Sequence, residues 1–482
     1  TALTDAVREF SDEFDPRYGG FGSAPKFPPA PGLSLLLRCY RRSGDPKTLQ
    51  MVTKTLDAMA AGGIYDHIGG GFARYSTDER WLVPHFEKML YDNALLTRSY
   101  LEAFQVTGRS TYRAIVEEVL DYVLREMTDK AGGFYSSTDA DSEGVEGKFF
   151  VWTPAQVRSV LHDEEDARRF CASYDITEQG NWEHQSIPNR LRPLDEVARE
   201  LGVSVDALQD TIDRCRPLLY QARTRRQPPG LDDKVITAWN GMMIGALAES
   251  GRVLDVPGYI EAAQRAADFL LTTHSTASGG LLRTSRHGRA HLDGVLEDYA
   301  FLAEGLVDLF EACGIDRYLS AARSLGERML TSFQDAAHGG FFTSSQEHEA
   351  LIMRSREGPD GATPSGNAVA AFALARLAHH CDKQDFREAA VHAVRAYGKQ
   401  IIRYPRAFAK CLAVVDFLTE GPLEIALVGR KDSPDFQNFA STLRSTYLPN
   451  RILAVTHRED GKSVHPLLSG KTMVNGDAAL YL

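Results

Sequence analysis

Apolar residues recur along most of this chain at helical spacing, in two alternating kinds of segment. Tyr112, Ile115, Val116, Val119 and Val123 keep the i, i+3, i+4, i+7 stripe of a helix with one wet face, as do Phe386, Ala389, Ala390, Ala393, Val394, Tyr397 and Ile401. Segments such as Gly241–Ala248 and Ala368–Ala375 are apolar nearly all round and rich in Gly and Ala, which suits a helix packed on several sides. The pattern predicts amphipathic helices over 3–14, 47–61, 109–127, 257–273, 315–332 and 383–402, and apolar ones over 30–42, 84–105, 236–251, 294–313, 363–381 and 406–419. Double-glycine turns separate the two kinds at Gly19-Gly20, Gly62-Gly63, Gly132-Gly133, Gly279-Gly280 and Gly339-Gly340. Six outer and six inner helices in alternation are the pattern of an all-α (α/α)6 barrel, in which each hairpin buries its apolar face only by standing beside the next.

Short runs after the glycines, such as Gly340-Phe341-Phe342-Thr343-Ser344, predict small β-ribbons at one end of the barrel. All long connections enter inner-helix N-termini at that end, while the other end has short links such as Thr107-Gly108-Arg109. Function is therefore expected at the glycine-rich end. Residues 145–230 interrupt the rhythm: 147–152 reads as a strand, Thr153 caps a helix with Pro154 at its first position, and helices are expected over 163–172 and 204–222. This insertion is a candidate lid on a barrel over 1–421. Residues 422–482 form a small α/β appendage: strand 423–429, helix 433–446, strand 451–456 and a third strand near 478–482, with no glycine-rich phosphate loop.

The hydrophobic content of 43% is enough for a large core, and the net charge of −11 argues against a nucleic-acid or anionic-membrane partner. No run of about 18 apolar residues occurs. Six cysteines without Cys-x-x-Cys spacing favour buried thiols in a reduced, cytoplasmic setting. Thr1 opens a helical pattern rather than a leader, and a first residue other than Met suggests a piece of a longer protein.

The densest chemistry lies between Gly62 and Asn93. If 84–105 is one helix, His85, Lys88 and Asp92 share one face and Glu87 and Tyr91 a neighbouring one, with Tyr65, His67, Arg74 and Tyr75 in the preceding turn. This gives a general acid/base group in a polar, aromatic pocket, or else an ion-pair network that fixes the hairpins. Asp139, Asp141, Glu143 and Glu146 imitate the opening of a calcium loop, but Phe150 stands where the closing Glu is needed. They remain candidate carboxylates or a solvated turn, beside Lys148 and Trp152. Three more inner-helix openings carry Asp232, Lys234, Trp239 and Asn240; Glu297, Asp298 and Tyr299; and Asn367. Each alone could be N-capping, but their convergence on one end suits a polyhydroxylated ligand. Gly-x-Ser-x-Gly, P-loop, dinucleotide and His-Glu-x-x-His motifs are missing, and no metal or cofactor is called for.

The strings Gly62–Ser76, Trp81–Asn93, Ser137–Gly144, Glu146–Phe149, Val151–Pro154 and Asp232–Gly241 resemble the spermatogenesis-associated, thioredoxin-domain-containing family. The resemblance runs nearly the whole chain. It implies a barrel of the six-hairpin-glycosidase type, similar to the N-acylglucosamine 2-epimerases, with a thioredoxin-like domain preceding it in the full-length protein.

Two functions follow as expectations. The first is an enzyme acting on a sugar-like small molecule. Proton transfer would use His85 or His67 with Arg74 or Lys88; hydrolysis would use Asp139 or Asp141 with Glu87 or Asp298. The second is a non-catalytic binding or regulatory barrel whose thioredoxin-like domain recruits partners.

Overall fold

The computed structural model describes residues 1–347, 354–457 and 465–482. In chain order its helices are α1 (Ala2–Glu13), α2 (Ala30–Ser43), α3 (Pro46–Ala61), α4 (Leu90–Thr107), α5 (Ser110–Glu126), α6 (Pro154–Leu161), α7 (Glu164–Ser173), α8 (Leu194–Leu201), α9 (Val205–Arg223), α10 (Thr237–Leu254), α11 (Pro257–Thr273), α12 (Leu296–Cys313), α13 (Asp316–Ser332), α14 (Gly366–His380), α15 (Gln384–Ala396), α16 (Gly398–Arg403), α17 (Ala409–Glu420) and α18 (Pro434–Ser445). Helices α2, α4, α10, α12, α14 and α17 pack each on the next, and α17 returns to α2, closing an inner ring. Helices α1, α3, α5, α11, α13 and α15 lie outside it, so the fold is an (α/α)6 barrel. Among the described residues no helix is long and apolar enough to cross a membrane.

Inner helices hand over to outer ones through two- or three-residue links, with left-handed caps at Gly44, Gly108, Asp255 and Gly314. The return connections hold one turn repeated five times. An Asp or Thr at its first position donates its backbone N–H to the carbonyl of the second glycine and accepts the N–H of the first: Asp15 with Gly20 and Gly19, Asp66 with Gly71 and Gly70, Asp129 with Gly133 and Gly132, Thr276 with Gly280 and Gly279, Asp335 with Gly340 and Gly339. The turn is glycine's because φ at Gly70 is +80° and a Cβ there would stand 2.7 Å from the Glu118 carbonyl of α5.

Four of the turns are then clasped by the inner helix that follows, and the first by outer helix α3. Asn93 accepts the Phe72 N–H (2.8 Å) and donates to its carbonyl (3.1 Å). Asn240 does the same to Phe134 and Asn367 to Phe341. A carboxamide has one donor and one acceptor side, so it pairs with a backbone unit as a neighbouring strand would. The Tyr299 hydroxyl takes the Leu281 N–H, and Thr55 takes the Gly20 N–H, at the other two turns. Cations finish three of them: Lys26, Lys88 and Arg356 each bind both the turn Asp and the carbonyl of its first glycine.

The inserted helices α6–α9 surround a small core of their own, with Phe170, Tyr174, Val197, Leu208 and Leu219 buried. Thr153 and Gln156 close a capping box at the start of α6. At the short-link end, strands Leu423–Val428 and Arg451–Thr456 pair in parallel and Ala479–Tyr481 adds antiparallel to the first, with α18 alongside.

Local structure departs from the sequence expectation at four places. The helix expected over 84–105 starts only at Leu90, because Pro84–His85 pairs with Tyr75–Ser76 and Lys88–Met89 with Ser137–Thr138. The second glycine turn is Gly70-Gly71; Gly62-Gly63 instead lies so close to Trp81 and Leu82 that a Cβ would meet their carbonyls at 2.2 and 2.1 Å. Residues 147–151 turn rather than extend, and only Trp152 makes a bridge, to Ser186. The helix expected over 383–402 breaks into α15 and α16 at Tyr397, ahead of Gly398.

Replacing Asn93 by Ala strands the buried N–H and C=O of Phe72, each worth about 1–3 kcal/mol. Urea unfolding of Asn93→Ala should show a loss of roughly 2–5 kcal/mol; an unchanged midpoint would mean that the clasp is dispensable.

Candidate functional site

The first turns of α4, α10 and α12 bring Tyr91, Asp92, Trp239 and Glu297 to the glycine-rich end, and the paired segments before α4 add Arg74, Tyr75, His85 and Glu87. Arg74 Nη1 lies 3.4 Å from Glu87 Oε2, and His85 Nδ1 stands 3.8 Å from the same oxygen. The rings of Phe27, Tyr75 and His85 stack in series, with centroids 4.7 and 5.1 Å apart. Trp239 meets Tyr91 edge-on at 4.9 Å. Three buried polar atoms in this cluster have no hydrogen-bond partner among the described residues: His85 Nδ1, Arg74 Nε and Asp92 Oδ2. Buried polar groups are nearly always paired, so these three are the atoms of the cluster whose bonding a bound group would complete.

Electrostatics at the opening are uneven. Burial pushes the Asp92 carboxyl well above the usual carboxylate range; Glu87 adds to this and Arg74 opposes it. Burial likewise raises Tyr91 to about 12, with Asp92 adding to the shift. Glu297 is raised by burial against the pull of Arg283.

Beneath the opening is an axial cavity of about 90 Å³ to which all six inner helices contribute. Tyr91, Leu95, Arg98 and Glu102 recur at i, i+4, i+7 and i+11, so one face of α4 runs from the opening into it. Its charged walls are Arg38, Arg98, Glu102, Glu304 and Lys410. Lys410 binds Glu304 at 2.6 Å, Arg98 and Arg376 flank Asp308 at 2.5 and 2.7 Å, and Arg376 continues to Glu311 at 3.2 Å. Sequence reasoning missed this axis. Its signal was present: Glu304, Asp308 and Glu311 are spaced i, i+4, i+7 on an otherwise apolar helix.

Other expected site residues are placed elsewhere. Lys88 does not share a face with His85 and Asp92, because it lies in an extended pair; its ammonium is buried against Asp66 (2.8 Å), which Arg223 also holds in a bidentate pair. Burial works to raise the Asp66 carboxyl, but Arg223 and Lys88 overcome it and hold it well below its ordinary value. Tyr65 donates to Glu118, and His67 packs between Tyr65 and Tyr174 with Nε2 2.9 Å from the Gly62 carbonyl. Asn240, Asn367 and Tyr299 are occupied by the turns they clasp. Both Asp298 oxygens accept backbone N–H groups, from Ala238 and Val295, and burial raises this carboxyl to about 7 against Arg283 and those two bonds. Asp139 and Asp141 are exposed, Lys148 pairs with exposed Glu143, and Lys234 with Asp232. Trp152 is buried under Arg226, 3.9 Å from its ring. All six cysteines are thiols, and among the described residues no three His, Cys, Asp or Glu side chains converge as a metal site.

The barrel of six helical hairpins defines the class of the protein, and a solved structure of that class is similar to it: a glycoside hydrolase family 76 mannosidase of Bacteroides thetaiotaomicron. The match covers 87% of this chain and 99% of that one, with a TM-score of 0.51 at 9% identity, a likeness of fold. No family model matches the chain. Among curated proteins, human spermatogenesis-associated protein 20 is 33% identical over 523 residues, covering 100% of this chain and 66% of the relative. An uncharacterised Caenorhabditis elegans protein is 32% identical over 510 residues, covering 97% of this chain and 69% of its own length. The chain belongs to the spermatogenesis-associated protein 20 family, and it spans just under two thirds of the human relative.

Burial lowers His67 from 6.5 to about 4 and His274 likewise to about 4, so both are neutral in the folded protein at pH 7. The unfolded chain takes up these protons near pH 6.5 and the folded one does not, so stability is lost as pH falls from 6.5 towards 4. Each histidine should withdraw about 1.4 kcal/mol per pH unit in that window. Urea unfolding across pH 7.5 to 4.5 should show the decline, and His67→Gln should flatten it by one proton; an unaltered slope would show that His67 titrates in the folded state.

Proposed function

We propose that this barrel is a carbohydrate-active enzyme of the proton-transfer type, an isomerase or epimerase, working at the opening framed by His85, Glu87, Arg74 and Tyr91. The observation that carries the reading is the set of unpartnered atoms there: a ring nitrogen to move a proton, a guanidinium nitrogen to meet developing negative charge, and a carboxyl to bond a hydroxyl. In this reading the sugar stacks on Trp239. His85 Nδ1 removes the proton from the carbon beside the carbonyl, the electron pair moves onto the carbonyl oxygen, and Arg74 stabilises the enediolate. Return of the proton to the opposite face of the same carbon gives the epimer; its return to the former carbonyl carbon, with the neighbouring hydroxyl passing its proton to the former carbonyl oxygen, gives the isomer, with nothing gained or lost overall. Glu87, 3.8 Å from His85 Nδ1, stabilises the imidazolium that forms. Among the expected pairings this one has its groups together: Lys88 and Asp298 are engaged in fixing the fold, and Asp139 and Asp141 stand out in solvent.

The chain is read as a barrel over 1–421 carrying an insertion over 145–230 that acts as a lid, with an appendage over 422–482, in a cytoplasmic setting.

Incubation with a panel of aldoses and ketoses in deuterium oxide, followed by proton NMR, should give an isomerised sugar with deuterium beside the carbonyl. His85→Ala should lower kcat by roughly 10²–10⁴-fold, and Arg74→Ala should lower kcat more than it raises KM. Full turnover by a folded His85→Ala protein, or a product free of solvent deuterium, would overturn the assignment.

A further inference from the structure

Tyr65 and His67 belong to the densest motif in the chain, yet their partners lie in a second cavity, of about 370 Å³, between α3 and α5 on one side and the inserted helices on the other. Its lining includes three guanidiniums, Arg190, Arg192 and Arg216, against two carboxylates, Asp57 and Glu118. In a chain of net charge −11 this is a locally cationic wall. Most of these charges are already used. Asp57 accepts from Arg109 and Tyr112, Glu118 from Arg216 and Tyr65, and Arg192 pairs with exposed Glu200. The Arg190 guanidinium has no hydrogen bond, ion pair or ring contact among the described residues, although its backbone N–H is fixed to the Ala61 carbonyl at 2.7 Å.

Two uncharged groups face the same space. His67 Nε2 lies 2.9 Å from a carbonyl, which only accepts, so that nitrogen carries the hydrogen and the neutral ring leaves Nδ1 as a bare acceptor. Arg190 and Arg216 both act with burial to keep the ring unprotonated. Tyr174, its ring centroid 5.5 Å from that of His67, is 2% exposed, and its hydroxyl has no partner among the described residues. One free cation, one free acceptor and one free hydroxyl therefore line a cavity whose remaining wall, from Ala60 to Ile115 and Leu194, is largely apolar.

We propose that this cavity is a second binding site, for a small hydroxylated anion, in which Arg190 pairs the acid group while His67 Nδ1 and the Tyr174 hydroxyl bond the hydroxyl. The acid is a carboxylate or a phosphate monoester; both offer the oxygens that a guanidinium recognises. Because the loop bearing Arg190 belongs to the insertion and His67 to the barrel, the occupant ties the two together.

Isothermal titration of the whole chain with D-glycerate and, separately, with inorganic phosphate tests the site, together with the ¹⁵N resonance of His67 Nδ1. At least one anion should bind and move that resonance; glycerate alone would identify a carboxylate ligand, and phosphate alone a phosphate monoester. Arg190→Gln should weaken binding about tenfold or more, as expected for a charge-assisted bond, with an unchanged far-UV spectrum and melting temperature. Tyr174→Phe should weaken it less, and His85→Ala not at all, which separates this site from the barrel opening. Failure of both anions to bind or to move the His67 resonance, or equal affinity in a folded Arg190→Gln protein, would overturn the proposal.

Discussion

The structure depends on one recurring bond: an inner helix reaching sideways to hold the backbone of the turn that precedes it. A glycine turn with positive φ cannot be continued as helix or sheet, so its peptide groups would be buried without partners. Asn93, Asn240 and Asn367 supply those partners from the opening turns of α4, α10 and α14. The clasp fixes where each inner helix starts relative to the outer helix before it. Repeated around the ring, that placement holds Tyr91, Trp239 and Glu297 at one opening.

The interior beneath is ionic to an unusual degree for a helical barrel. Helix α12 turns an acidic stripe toward the axis, and Arg98, Arg376, Lys410 and Arg451 answer it from α4, α14, α17 and the strand Arg451–Thr456. Pairs buried this deeply add little net stability, because desolvation offsets most of their attraction. They do penalise any slip in helix register, since a one-residue rotation would strand a charge.

Much of the architecture was legible in the sequence. The alternation of one-sided and all-round apolar segments reports which helices are sandwiched, so the twelve-helix ring follows from it. The site was less legible, because spacing along a chain assumes the secondary structure that carries it. His85, Lys88 and Asp92 look like one helical face, but strand pairing with 75–76 and 137–138 extends the chain there and sends Lys88 into a turn. Lys26 and Arg356 do the same work elsewhere, a parallel invisible without knowing that Asp15, Asp66 and Asp335 are equivalent. Asn240 and Asn367 looked like ligand contacts for the same reason: an amide that binds backbone and one that binds sugar are identical in sequence. The acidic stripe of α12 was readable, since three carboxylates at helical spacing on an apolar helix must find cations.

Arg451 joins the axial network from outside the barrel helices. It reaches Glu249 and Glu311 from the strand Arg451–Thr456, while Arg38 of α2 binds Asn450 just before it. The ring itself closes where α17 meets α2, joining residues some 380 positions apart. During synthesis, then, the early hairpins emerge with an open seam, and the ring can close only once α17 has followed the other five inner helices.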